Sequence, residues 1–266
     1  MNVPVVSTVT ILLYVIVSGL LGWRLVRRPE APKLGLLAMG LVAAILHGWL
    51  LYHWVHTGTG RDLGLFNVGS MVTWIMAFLV LLGSLRMPVE NVGIAILPLA
   101  ALSIMAALAF PTHHIVHDVR NPELLSHILL SIVSYSILTI AALQALLLAF
   151  QHHHLHSRQP GGLIRALPPL QTMETLLFQM IAVGFLLLTL ALITGALYLE
   201  NIFAQHLVHK TVLSIVAWLV FATLLWGRYR FGWRGRTAVR WTLWGFAFLA
   251  LAYFGSKMVL VFVLHR

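Results

Sequence analysis

The sequence predicts an all-α fold, a polytopic membrane helix bundle of about eight transmembrane helices, and three observations carry that expectation. A hydrophobic content of 60% against 9% charged residues, with a mean hydropathy of +0.93, leaves too little polar surface to keep a folded chain dispersed in water. Apolar runs recur at 4–23, 35–56, 66–85, 92–110, 123–150, 174–199, 207–226 and 238–264, each long enough to cross a hydrocarbon core of roughly 30 Å. The runs are continuous rather than alternating, so closed helices and not barrel strands are expected. Spans of this number occupy nearly the whole chain, and residues 1–266 are read as a single transmembrane domain.

Each run has its own marks. The first precedes its basic cluster of Arg24, Arg27 and Arg28 and lacks a small-residue cleavage site, so it is expected to stay as a span and not be removed as a signal peptide. The second carries His47, roughly 13 Å inside its end at 1.5 Å per residue, and finishes on His53 and His56. Arg86 separates the third run from the fourth. The fifth opens on His127 and continues into His152, His153, His154 and His156. Glu174 starts the sixth, the nearest approach to a carboxylate within a span, and His206, His209 and Lys210 stand at the start of the seventh. The eighth contains Lys257, whose long stem is expected to snorkel to the interface.

Orientation follows from the basic residues. Arg24, Arg27, Arg28, Lys33, Arg86, Arg158, Arg165, Arg228, Arg230, Arg234, Arg236 and Arg240 fall in one set of alternate connections. The other side holds Arg61, Arg120, Lys210, Lys257 and Arg266. The richer set is expected in the cytoplasm, which puts both termini outside. The net charge of +10 therefore reads as a topology signal, and nucleic acid is not an expected partner. Cysteine is absent, so thiolate ligands, disulfides and covalent haem attachment through C-x-x-C-H are excluded.

Histidine is the chemistry-bearing residue, with fourteen copies. His53 with His56, His114 with His117, and His206 with His209 share the spacing H-x-x-H on the outer side. On a helix, residues three apart share a face, so the first and third pairs are candidate divalent-metal donors; interfacial histidines that merely tolerate the headgroup zone are the alternative. His127 leads a stripe with Ser131, Ser134 and Leu138 that should face the bundle interior, as a ligand or as a hydrogen-bonded interhelical histidine. His47 presents the same choice at greater depth. The sequence holds no P-loop, nucleophile elbow or H-E-x-x-H, and the reading is not of an enzyme.

The stretch Leu167-Pro-Pro-Leu-Gln-Thr-Met-Glu-Thr-Leu-Leu-Phe-Gln-Met-Ile181, then Leu-Ile-Thr-Gly at 192–195 and Phe-Ala-Gln-His-Leu-Val-His-Lys at 203–210, resembles the cytochrome c assembly family with its CcsA and HemX members. Ala217-Trp-Leu-Val220, Gly232-Trp-Arg-Gly-Arg236, Gly245-Phe246 and Phe254-Gly255 carry the same cadence. The resemblance implies a multi-pass protein of the bacterial inner membrane that binds haem b, or assists haem delivery, at the outer face. Membrane lipids and haem or cytochrome assembly proteins are the implied partners. His127 with Tyr135 matches the family's outer histidine pattern and His265 falls within one residue of its last histidine, so the resemblance implies these two as axial ligands, with His47 and Ser131 as further cofactor-binding candidates. The family's tryptophan-rich outer segment is replaced here by Tyr198-Leu-Glu-Asn-Ile-Phe-Ala-Gln-His-Leu-Val-His-Lys210. A haem-free accessory or transport-linked protein with an outer histidine metal site, or a structural partner of another membrane protein, is the second reading. Reporter fusions after Arg28, Arg158 and Arg234 are expected to report cytoplasmic loops, and a cytoplasmic amino terminus would overturn the map.

Overall fold

The computed structural model describes residues 2–27, 32–57, 60–110, 115–116, 122–156, 167–198 and 205–255. Eight α-helices follow in order: α1 (Val3–Arg27), α2 (Leu34–Val55), α3 (Leu65–Gly83), α4 (Glu90–Ala109), α5 (Pro122–His156), α6 (Leu170–Tyr198), α7 (Gln205–Phe231) and α8 (Gly235–Ala250), the last continued by a π-helical segment, Leu251–Gly255. Among the described residues, α1 to α7 are each long and apolar enough to cross a membrane. The fold is the all-α polytopic bundle expected. Of the eighth run, the described part is α8 with its π segment; Lys257 and His265 lie outside the described residues, as do His113, His114 and His117.

The chain divides into two compact units, Met1–Val119 with Arg158–Pro168, and Arg120–Ser157 with Pro169–Arg266. In the first, α1 packs on α2 and α4, and α3 on the same two, which closes a ring of four helices. Three short strands, β1 (His56–Thr57), β2 (Gly60–Asp62) and β3 (Ile115–Val116), join the ends of α2 and α4 in an antiparallel sheet of order β1-β2-β3. Arg61 pairs with His56 on one side and with Val116 on the other. Strands of two or three residues carry no periodicity, so nothing in the apolar pattern announces them.

The first ring turns its small polar residues inward. Ser7, Thr10, Tyr14 and Ser18 of α1 are buried, while Val5, Leu12, Val15 and Ile16 face outward. Lipid solvates those aliphatic side chains as well as a protein core would, so helix association rests on close packing and interhelical hydrogen bonds. One such bond has a backbone cause. Pro98 lies within α4 and has no N–H to give the carbonyl four residues earlier; the freed Ile94 carbonyl instead accepts from Ser18 Oγ at 2.8 Å. Trp74 Nε1 likewise donates to the Ala44 carbonyl at 2.7 Å, and Thr73 and Ser103 join α3 to α4 through their hydroxyls at 2.6 Å.

The second unit is also a ring: α5 packs on α6 and α8, and α7 on the same two. Ser134 Oγ donates to the Gly184 carbonyl at 3.0 Å. A Cβ at Gly184 would lie 2.7 Å from the Leu138 side chain, so glycine is what lets α5 and α6 approach this closely. Glu174, in the second turn of α6, accepts from the Gly235 N–H at 2.7 Å and lies 4.0 Å from Arg228. It satisfies an orphan donor at the start of α8, while Arg228 donates to the Trp233 carbonyl and covers the Phe178 ring. Glu174, which the sequence places at the start of the sixth run, is thus a helix cap supplied from another helix. Glu90 plays a comparable part in the first unit, bridging Arg24 at 3.7 Å and Lys33 at 3.1 Å.

Ser18→Ala leaves the Ile94 carbonyl without its donor and is expected to lower stability in detergent by about 1 kcal/mol. In a Pro98→Ala background the restored N–H should remove most of that loss. Unfolding by titration of a denaturing detergent reads both, and an equal loss in the two backgrounds would contradict the account.

Candidate functional site

His127 sits in the second turn of α5, against α6. Its Nδ1 is 2.9 Å from the Ala191 carbonyl oxygen and 3.3 Å from Thr194 Oγ1. A carbonyl can only accept, so Nδ1 carries the proton and donates. Thr194 Oγ1 itself donates to the Leu190 and Ala191 carbonyls, which leaves its lone pair facing the imidazole. In a neutral ring the lone pair then lies on Nε2. A backbone carbonyl holding Nδ1–H is the outer-shell arrangement that sets tautomer and ring orientation in histidine ligands.

Two glycine and aromatic features complete the seat. A Cβ at Gly195 would fall 3.0 Å from His127 Cε1, so the Thr194-Gly195 turn of α6 supplies both an acceptor and the space the ring needs. Further along α5, Ser131 is half-buried, and Ser134 and Leu138 are fully buried. The expected inward stripe is therefore present, its depth increasing away from His127. Tyr135 lies two turns on, its ring 6.0 Å from Phe246 of α8 and 5.6 Å from Tyr253 of the π segment.

His47 is also where its sequence position suggests, but it is engaged at both nitrogens. Nδ1 is 3.3 Å from Tyr14 Oη and Nε2 is 2.8 Å from Ser70 Oγ, and the residue is fully buried. To ligate a metal it would have to release one of these hydroxyls. The buried neutral imidazole joins α1, α2 and α3 through two hydroxyl partners.

Of the H-x-x-H pairs, only His53 and His56 have both side chains among the described residues. His53 and His56 are both exposed; the His53 ring packs on Trp49 at 4.1 Å, and the His56 ring on Tyr52 at 4.3 Å. His56 closes α2 as its C-cap and begins β1. His209 is exposed on α7, and the side chain of His206 lies outside the described residues. No group of three or more metal-ligating side chains occurs among the described residues. Sequence reasoning missed the Ala191 carbonyl and Gly195 as partners of His127, and Tyr14 and Ser70 as partners of His47. Of these, only Gly195 had a local sign, in the Leu-Ile-Thr-Gly motif.

Fold and site together define a multi-pass all-α membrane protein in which two histidines, His47 and His127, link helices through hydroxyls and a backbone carbonyl. The chain belongs to the cytochrome c assembly protein family, whose model matches residues 36–264. It is 40% identical over 205 residues to the inner membrane protein YpjD of Escherichia coli K12, covering 76% of each chain. It is 24% identical over 268 residues to the cytochrome c biogenesis protein CcsA of a Synechococcus species, covering 89% of this chain and 86% of that one. A CcsA protein of Chlamydomonas reinhardtii is 25% identical over 256 residues, 91% of this chain and 71% of its own length. No solved structure matches. The protein is a multi-pass inner-membrane protein.

Gly195→Ala should force the His127 ring from its seat, with a loss of roughly 1–3 kcal/mol for overpacking. Gly19→Ala, where an added Cβ meets nothing within 4 Å, is expected to leave the unfolding midpoint in detergent unchanged. Equal midpoints for the two variants would contradict the close approach.

Proposed function

We propose that the protein acts in cytochrome c biogenesis by binding haem b, or assisting its delivery, at the outer face of the inner membrane. The observation that carries this reading is the tethered imidazole: Nδ1 of His127 is committed to the Ala191 carbonyl, which leaves the remaining lone pair on Nε2. The donor set fits haem iron, since neutral imidazole is its commonest protein ligand and the chain has no thiolate to compete. His265 is the proposed second axial ligand, with Ser131 beside the first. Membership of the cytochrome c assembly family and the likeness to CcsA proteins support the reading.

Haem supplies the redox and transfer chemistry when bound. The protein's part is to bind, orient and shield. The Ala191 carbonyl and Thr194 fix the ring plane of His127, Gly195 gives it room, and the Tyr135, Phe246 and Tyr253 rings form an apolar aromatic wall further along α5. His53, His56, His206 and His209 remain the proposed donors of the alternative, a divalent metal site.

Purified protein is expected to show a Soret band with sharp α and β bands on reduction. His127→Ala and His265→Ala should each convert a six-coordinate low-spin spectrum to a five-coordinate one or lose haem, and added imidazole should restore the former in His127→Ala. His154→Ala, in a ring packed on Phe150 away from this seat, should change nothing. A colourless protein that retains zinc or copper would favour the alternative, and a spectrum surviving both substitutions would refute the ligand assignment.

A further inference from the structure

The last quarter of the chain has charge of one sign. No Asp or Glu follows Glu200, whereas Arg228, Arg230, Arg234, Arg236 and Arg240 cluster where α7 ends and α8 begins. Two cavities open at this end of the second unit. One, of about 430 Å³, lies between α7 and α8 and is lined by Val220, Thr237, Arg240, Trp241, Trp244 and Phe248. The other, of about 300 Å³, has His152, His153, Arg236 and Arg240 on its polar side. Arg240 lines both, and neither is lined by a carboxylate.

The first cavity is graded along its length. On α8, Thr237, Arg240, Trp241, Trp244 and Phe248 recur at intervals of three and four and so form one stripe. From Thr237 to Phe248 the stripe runs roughly 16 Å at 1.5 Å per residue, about half of a hydrocarbon core of roughly 30 Å. Its polar members stand at the arginine-bearing end, and its rings, with Val220 of α7 opposite, lie deeper. Trp244 is 61% exposed, so the groove is open sideways to the surroundings of the bundle. A charged end at the interface with an apolar slot one leaflet deep is the shape and polarity of a single phospholipid.

We propose that the α7–α8 groove is a binding site for an anionic phospholipid, whose phosphodiester pairs with Arg240 and whose acyl chain lies along Trp241, Trp244 and Phe248. Guanidinium suits phosphate oxygens, and Arg236, His152 and His153 place further positive or donor groups beside the same arginine. Selection against zwitterionic lipids follows from the missing carboxylate. A choline or ethanolamine headgroup finds no countercharge, because Glu174, the acidic group near this end of α8, is already committed to the Gly235 N–H and Arg228.

Tryptophan quenching tests the site in full-length protein reconstituted in phosphatidylcholine vesicles, with chain-brominated phosphatidylglycerol or chain-brominated phosphatidylcholine added at equal mole fraction. Brominated phosphatidylglycerol is expected to quench more strongly, and this comparison needs no variant. Arg240→Gln should lower the preference roughly fivefold, the size expected for one arginine near an anionic lipid surface. Arg230→Gln, exposed and outside both cavities, should leave it unchanged, and replacing Trp241 and Trp244 by Phe should remove the selective component. Equal quenching by the two lipids overturns the proposal. So does an Arg240→Gln protein indistinguishable from the parent, or an Arg230→Gln loss of the same size, which would mean diffuse attraction to the arginine cluster and no groove site.

Discussion

Backbone carbonyls of a helix are satisfied four residues along, yet each has a second lone pair, and inside a bilayer no water takes it. The helices of this protein are fastened to one another by side chains that reach those carbonyls. Ser18 reaches Ile94, Trp74 reaches Ala44, Ser134 reaches Gly184, Gln144 reaches Met173 and His127 reaches Ala191. Three of the clamps lie beside a residue that is small or missing a donor: Pro98 four residues after Ile94, Gly184 itself, and Gly195 against the His127 ring. Aliphatic packing fills the remainder, but lipid competes for it on nearly equal terms. The polar clamps therefore decide which helix faces touch.

The candidate haem ligand is an instance of the same device. His127 uses one nitrogen as Ser134 uses its hydroxyl, to hold α5 against α6, and the histidine differs in having a second nitrogen left over. His47 shows the contrasting outcome, since Tyr14 and Ser70 take both of its nitrogens. Two histidines of one chain, one buried and one half-buried, thus divide into a crosslink and a crosslink with a second nitrogen left over. The difference lies in the number of hydroxyls within reach, a property of neighbouring helices and not of the histidines' own flanks.

That distinction marks how far the sequence could be read. Span number and helical state follow from run length and hydropathy, which are local, and they agree with α1 to α7 within a few residues. The inward stripe of His127, Ser131, Ser134 and Leu138 follows from helical spacing and is present. The partners were not legible: a carbonyl such as that of Ala191 belongs to every residue and has no signature, and Tyr14, 33 positions from His47, is one tyrosine among several. The spacing of His53 and His56 is legible as well, but the rings that pack on them, Trp49 and Tyr52, follow from side-chain placement and not from spacing. Glu174 looked like a lone intramembrane acid only while the start of α8 was unseen.

The Ser18–Ile94 bond joins residues 76 positions apart, and it has a consequence for how the first ring comes together. A proline-bearing fourth span enters the bilayer with an open acceptor that its own helix cannot close. The first span, already in place by then, holds a hydroxyl whose other local option is a carbonyl of its own preceding turn. Docking the two exchanges a strained solitary group for a satisfied one, so the last helix of the ring is recruited to the first and not merely to the one synthesised before it. Ring closure is in this sense encoded as a vacancy in one helix and its complement in another.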